Sequence, residues 1–263
     1  MKIIYYTDKI CKFVVDLLFP IECIACGKNG VWLCKNCFKK IRINHLQHCP
    51  QCKNKNQFGQ FCPQCKKEYA IDGVWVAGNY KDKALSQLIK ILKYRFAEEI
   101  AKILGNFLSI FLQNLINKNR LKGIDLNTKI SWQKFEKIKE APEILFNFDN
   151  SLIIPIPLHK KRMLWRGFNQ AEKIAKIVAK NFNLQMSDKL IRVKYKKPQA
   201  KLGKMQRKEN IRGCFKWLGN NLNKQNIILI DDVATTCSTL NECAKILKKA
   251  DAGKIYGLVV AKG

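Results

Sequence analysis

Two groups of residues in this chain have the types and spacing to do chemistry. The first is a set of four CxxC pairs, Cys23/Cys26, Cys34/Cys37, Cys49/Cys52 and Cys62/Cys65. A CxxC turn puts two thiolates on one side of a tight loop, and two such turns complete a tetrahedral S4 set for zinc with Zn–S distances of about 2.3 Å. Four pairs therefore predict two structural zinc ions, with an iron–sulfur cluster or disulfides as the competing chemistries. Sequential pairing leaves seven residues between the first two pairs and nine between the last two. Those intervals are a little short for a ribbon, and a cross-braced scheme, first pair with third and second with fourth, is the open alternative. His45 and His48 flank the third pair, but eight thiols already suffice, so these imidazoles read as surface or minor contacts.

The second group lies in "IILIDDVATTCSTL", residues 227–240. A buried parallel strand reads as a continuous aliphatic run, and ligands of open α/β sheets sit beyond the carboxyl ends of such strands. Asp231 and Asp232 stand at that end. The hydroxyls of Thr235, Thr236, Ser238 and Thr239, with the N–H groups opening the helix that follows, form an anion site suited to a phosphate monoester. Two carboxylates beside it cannot face the phosphate. They suit the vicinal diol of a sugar or an intervening Mg²⁺. A phosphate on one side and a diol on the other describe ribose 5-phosphate. An ordinary capped helix would explain the hydroxyls, but not two consecutive acids directly after an aliphatic run. Cys237 occupies a slot where a tight turn prefers glycine. At φ > 0 it would be strained by roughly 1 kcal/mol, whereas at helical φ it would be harmless. Its place at a helix N-terminus could lower its pKa, yet phosphoribosyl chemistry needs no thiolate. Cys11, Cys214 and Cys243 sit among apolar neighbours and read as core.

Several elements must position these groups. Residues 1–20 form an amphipathic helix with Ile10, Phe13, Val14, Leu17 and Leu18 on one side. Residues 21–68 are a short, polar, turn-rich module in which metal substitutes for a hydrophobic core. A strand at 71–80 enters a second domain, residues 71–263. Within it, helical periodicity covers 82–118, the mixed, lysine-rich stretch 117–150 reads as an insertion, and strand "SLIIPIP" opens at 151. A helix follows over about 167–181, then strands near 190–193, 213–217 and 226–230, a helix over 236–249 and a strand over 254–261. Strands alternating with helices predict an α/β fold around a parallel sheet.

The chain has 263 residues and 47% hydrophobic content, ample for a packed core. Lys and Arg outnumber Asp and Glu by 49 to 20, a net charge of +29. That excess points to anionic partners, although an AT-rich genome would also inflate lysine. No run of eighteen apolar residues exists, so no membrane span is expected. Twelve cysteines without a secretion signal point to a reducing, cytoplasmic setting.

"IILIDDVATTCST" resembles the phosphoribosyl-pyrophosphate (PRPP) signature of type I phosphoribosyltransferases, departing from it at Cys237, where glycine is usual. "IPIPLHKKRMLWRGFNQAEKIA" (154–175), "KKPQAKLGKMQRKENIRGCF" (196–215), "LLFP" (17–20) and the cysteine module resemble blocks of the ComF family. The resemblance implies a type I phosphoribosyltransferase sheet, with Asp231 and Asp232 on the ribose hydroxyls and residues Ala234, Thr235, Thr236, Cys237, Ser238 and Thr239 around the 5′-phosphate. It also implies pyrophosphate binding after the first strand, where His159, Lys160, Lys161, Arg162 and Arg166 make a pointed basic cluster. A mobile loop with Gln199, Arg207 and Asn210 would close over Mg²⁺ and PRPP. The ComF name further implies a link to DNA uptake and to competence-machinery proteins. A non-catalytic role on single-stranded DNA is the alternative, using the zinc knuckles, the basic loops and stacking by Trp32, Phe38, Phe58, Phe61 and Trp75.

Overall fold

The computed structural model describes residues 21–56, 58–93, 97–120, 146, 148, 150–195 and 209–263. The expected helix over 1–20, Cys11, Gln199 and Arg207 lie outside the described residues. So does most of the stretch 117–150.

Five parallel strands form the central sheet: β3 (Gly73–Asn79), β4 (Ser151–Pro155), β5 (Gln185–Met186), β8 (Asn226–Ala234) and β9 (Ile255–Lys262). Their order is β3-β9-β8-β4-β5, each neighbour parallel. This is the α/β architecture that the alternating pattern predicts. The connections run outward in opposite directions from the adjacent strands β4 and β8, so the sheet's switch point, where open α/β sheets place ligands, lies between those two carboxyl ends.

Side chains alternate across the sheet. Ile228, Ile230, Leu258 and Val260 face one core with helices α3 (Lys83–Leu92), α4 (Ala97–Arg120) and α6 (Gln170–Phe182). Ile227, Leu229 and Val259 face the other core with Leu240, Cys243, Ala244 and Leu247 of α7 (Ser238–Lys249). Helix α4 passes α6 so closely at Gly105 that an added Cβ would lie 2.6 Å from Ile177. The helical periodicity of 82–118 is realised as two helices, and the second runs on to Arg120. At the other end of the stretch 117–150, Phe146 is fully buried and packs edge-on against Trp75. Both ends of that stretch therefore belong to the domain.

The helix expected over about 167–181 is present as a single helix over Gln170–Phe182, and a shorter helix that the sequence pattern does not announce precedes it. Helix α5 (Lys160–Arg166) ends at Gly167, whose φ of 80° closes it, and α6 restarts behind the Asn169 cap. The strand expected at 226–230 continues to Ala234, because β9 pairs with it past the end of β4, from Asp231↔Val259 to Ala234↔Lys262. Both acids therefore sit inside the strand, and the helix after them begins at Ser238.

The cysteine module holds β1 (Gln47–His48), β2 (Lys55–Asn56) and the single-turn helices α1 (Lys35–Phe38) and α2 (Pro63–Lys66). It packs on the sheet domain. Gln47 Oε1 accepts from Val76 N at 3.0 Å, and Gly59 O accepts from Val74 N at 2.9 Å. The module thus covers the outer edge of β3, which would otherwise present unpaired backbone groups. Gly59 is required there, because at its φ of +69° a Cβ would lie 2.5 Å from Val74 O. Phe58 packs edge-on against Trp75 and Tyr256.

Candidate metal centres and anion site

The sulfurs of Cys23, Cys26, Cys34 and Cys37 lie within 4.8 Å of one another, as do those of Cys49, Cys52, Cys62 and Cys65. Pairing is therefore sequential and the cross-braced scheme is excluded. Cys26 Sγ and Cys34 Sγ are 3.8 Å apart and Cys52 Sγ and Cys62 Sγ 3.7 Å. A tetrahedral site with Zn–S distances of about 2.3 Å has S···S edges of about 3.8 Å, so both sets fit zinc. His45 and His48 are exposed and outside both sets.

Against the opposing effect of burial, backbone N–H donors of Cys34, Ala25 and Cys26 pull Cys23 down to about 6. Donors from Cys52, Cys62 and Gln51 do the same for Cys49, also against burial. Within each set the neighbouring thiols hinder ionisation of another member: hydrogen bonding to Cys34 and Cys26 pushes Cys37 up to about 12, and hydrogen bonding to Cys62 raises Cys65 to the same level. Four ionised thiols can share such a space only around a cation.

The second site gathers at the carboxyl ends of β4 and β8. Asp232 is 5% exposed. Its Oδ1 accepts from Val233 N at 2.9 Å, and its Oδ2 lies 3.1 Å from Lys93 Nζ. That lysine contact is an ion pair by proximity, and among the described residues no aligned hydrogen-bond donor reaches Oδ2. Asp231, half-buried, accepts from Asp232 N at 2.9 Å. Burial, and then the charge of Asp232, hold the Asp231 carboxyl well above the usual carboxylate range.

Directly after the acids, Cys237 takes φ 58°, ψ 10°, the left-handed conformation that glycine favours, and opens α7 without a side-chain cap. The N–H groups of Ser238, Thr239 and Leu240 are first-turn donors with no intrahelical partner. Thr236 Oγ1 and Ser238 Oγ are 2.8 Å apart beside them, while Thr235 is exposed and Ala234 and Cys237 are buried.

The basic cluster after β4 is helical. His159 caps α5 through Nδ1, which accepts from Lys161 N at 3.2 Å. Its ring lies 5.1 Å from that of Tyr195, over which Lys161 Nζ stands at 5.4 Å. Burial, then Arg192, Lys161 and Lys160, lower the His159 pKa. Lys160 and Lys161 are exposed and Arg162 half-buried, and Arg166 donates to Gln170 Oε1.

Two cations of this site do not stand out in the sequence. Lys93 caps the end of α3. Arg192, in the hairpin of β6 (Leu190–Arg192) and β7 (Phe215–Trp217), bridges to His159 and lies 5.6 Å over the Phe215 ring. Its Nε is buried and has no hydrogen-bond partner among the described residues, and burial followed by the charge of Arg162 lowers its pKa. Asn210 sits in a helical turn whose neighbours Ile211 and Arg212, with Tyr69, Ser238, Asn241 and Lys245, line a cavity of about 200 Å³ against α7. Of the proposed stacking aromatics, Phe58, Phe61 and Trp75 are buried, and Trp32 and Phe38 pack partly buried against the core. They complete the seam between module and sheet.

The class so defined is a double zinc ribbon joined to a parallel α/β domain, and residues 14–66 match the double zinc ribbon domain family. The chain is similar to competence protein F of Haemophilus influenzae, with 28% identity over 256 residues, 92% of this chain and 98% of that protein. It is also similar to competence protein ComFC of Bacillus subtilis, 37% identical over 42% of this chain and 44% of that one. A third relative is DNA utilization protein YhgH of Escherichia coli O157:H7, 25% identical over 89% of this chain and 85% of that protein. The ComF resemblance thus extends over nearly the whole sequence. Among the described residues no helix is long and apolar enough to cross a membrane.

Proposed function

We propose that this protein binds PRPP at the β8–α7 junction and transfers its phosphoribosyl group to an acceptor. The observation that carries the reading is the start of α7, without a side-chain cap, just beyond the strand that carries the paired acids, at the switch point of the sheet. Asp232 Oδ2 is buried and, among the described residues, has its ion pair with Lys93 but no aligned hydrogen-bond donor, so it can accept from a ribose hydroxyl. PRPP supplies an activated ribose C1 whose leaving group is Mg²⁺-bound pyrophosphate.

In this reading Asp231 and Asp232 accept from the ribose hydroxyls and orient C1. The N–H groups of Ser238, Thr239 and Leu240, with the Thr236 and Ser238 hydroxyls, hold the 5′-phosphate. His159, Lys160, Lys161, Arg162, Arg166 and Arg192 compensate the charge that develops on the departing pyrophosphate. Gln199, Arg207 and Asn210 belong to the loop that the ComF resemblance assigns to closure and water exclusion. Calorimetry tests the assignment: Asp231→Asn combined with Asp232→Asn abolishes Mg²⁺-dependent PRPP binding, and unchanged affinity in the double variant would remove it.

A second reading, contact with single-stranded DNA, is favoured by one observation. Leu164 and Trp165 are 85% and 71% exposed on the same short helix as Lys160 and Lys161, which places an aromatic surface beside cations. The relatives' names, competence and DNA utilization, support that setting. The two readings are compatible.

A further inference from the structure

The paired acids are already matched by cations of the protein. Lys93 Nζ stands 3.1 Å from Asp232 Oδ2, with the lysine side chain 29% and the aspartate side chain 6% exposed. Lys93 is not a loosely tethered surface cation. It follows directly on α3, whose Leu85, Leu88, Ile89 and Leu92 are all fully buried, and its own backbone N–H caps that helix by donating to Lys90 O and Ile91 O. The electrostatic field of the Lys93 ammonium extends to Asp231 as well, where it opposes the repulsion from Asp232. The guanidinium of Arg192, brought from a separate hairpin, feels the charge of Asp231 in turn. The acid pair thus has a cation of the protein in direct contact, Lys93 on Asp232, at the place where it would otherwise need a divalent ion to relieve its repulsion.

We propose that Lys93 is the resident counter-cation of the acid pair, so that the ribose 5-phosphate part of a ligand binds without a divalent metal on the carboxylates and Mg²⁺ is needed only where pyrophosphate is present. This rests on the ribose-phosphate reading above. Lys93 is a positioning residue: its ammonium, 3.1 Å from Oδ2, offsets the charge of the Asp232 carboxylate and holds it in place, leaving the remaining lone pairs to accept from sugar hydroxyls. A cation tethered 3.1 Å away also makes the pair a poor site for an added divalent ion, because binding the ion would bring three positive charges together around two carboxylates.

Two measurements on the zinc-loaded full chain test the proposal. In the first, ribose 5-phosphate is titrated calorimetrically in resin-treated buffer without Mg²⁺ or chelator and again with Mg²⁺. The wild-type affinity is the same in both, while Lys93→Met loses about tenfold without Mg²⁺, a typical coupling between sites, and recovers with Mg²⁺. Lys93→Arg, which keeps the charge, behaves as wild type. A wild-type affinity that requires Mg²⁺, or a Lys93→Met variant indistinguishable from wild type, overturns the proposal. In the second, Mn²⁺ is titrated without any sugar phosphate and followed by electron paramagnetic resonance. Lys93→Met binds Mn²⁺ about tenfold more tightly than wild type, since the same pair has lost its compensating charge. Equal Mn²⁺ affinities overturn the proposal. Absence of any ribose 5-phosphate or PRPP binding under all conditions would instead remove the ribose-phosphate reading, and the Mn²⁺ comparison would still decide whether Lys93 compensates the acids.

Discussion

Asn241, in the first turns of α7, accepts a hydrogen bond through Oδ1 from Ala70 N at 2.8 Å, joining the helix behind the anion site to the chain that leaves the second zinc ribbon. The same ribbon is pinned elsewhere: Tyr69 donates to Gln51 Oε1 at 2.8 Å, and Lys262, the last residue of β9, donates to Pro50 O. The metal sites therefore hold a wall of the α/β domain as well as their own fold. Asn241→Leu leaves the Ala70 N–H without its acceptor, which costs about 1–3 kcal/mol. Urea unfolding reads this as a lower midpoint at unchanged slope, and an unchanged midpoint would show that the joint is not tensioned by Asn241. Stripping zinc with a chelator removes the same wall, and the melting temperature falls with it.

The φ of 58° at Cys237 answers the question raised by a cysteine in a glycine slot. The thiol is buried, only 4% exposed, so replacing it removes packing as well as strain, and the two must be separated. Cys237→Ala removes the packing and keeps a Cβ, whereas Cys237→Gly removes both. The glycine variant is therefore more stable than the alanine variant by about 1 kcal/mol, the reverse of their order in a helix interior. Equal stabilities, measured in urea, would mean that the left-handed backbone carries no strain.

What was legible beforehand follows from locality. The acids, the hydroxyl turn and the four CxxC pairs are local patterns, and the structure brings each set together. The end of β8 is not local: residues 231–234 are strand because β9 offers partners as far as Lys262, and no periodicity in 226–234 records that. The zinc pairing was open because both schemes share one spacing. Lys93 and Arg192 were invisible because each is a single cation in an amphipathic helix or short strand, given meaning only by Asp232 or His159 across the fold. The short helix over Lys160–Arg166 was not legible because it buries none of its residues, Met163, Leu164 and Trp165 included, so no apolar periodicity marks it.

Asp231 gives the site a measurable stability signature. Burial and the Asp232 charge raise its pKa above the ordinary 3.8, so the folded protein holds this proton more tightly than the unfolded chain does. Stability contributed by this group therefore falls as pH rises from the unfolded carboxylate range through the raised folded value, and the penalty is complete above it. Asp231→Asn removes the penalty. In metal-free buffer at neutral pH it stabilises the fold by about 0.5–2 kcal/mol, the usual size of one favourable change at a functional position. The gain shrinks as pH approaches 4. Urea titrations at both pH values check this, and a gain independent of pH would mean that Asp231 ionises normally.

Trp165 separates stacking from charge in the DNA reading. Beside Lys160 and Lys161, its 71% exposed indole is placed to receive a base, and base–aromatic stacking contributes about 1–3 kcal/mol per base. Each phosphate contact on a single strand adds a slope of about −0.7 in log affinity against log salt concentration. Trp165→Ala therefore weakens binding of a thymidine oligonucleotide by about 1–3 kcal/mol with the salt slope intact. Replacing Lys160 and Lys161 together by alanine flattens that slope by up to about 1.4. Quenching of the Trp165 fluorescence in the lysine variant, and anisotropy of a labelled oligonucleotide in both, follow these changes. Affinity unaffected by Trp165→Ala would exclude stacking on α5, and a slope unaffected by loss of both lysines would place the strand elsewhere on this +29 surface.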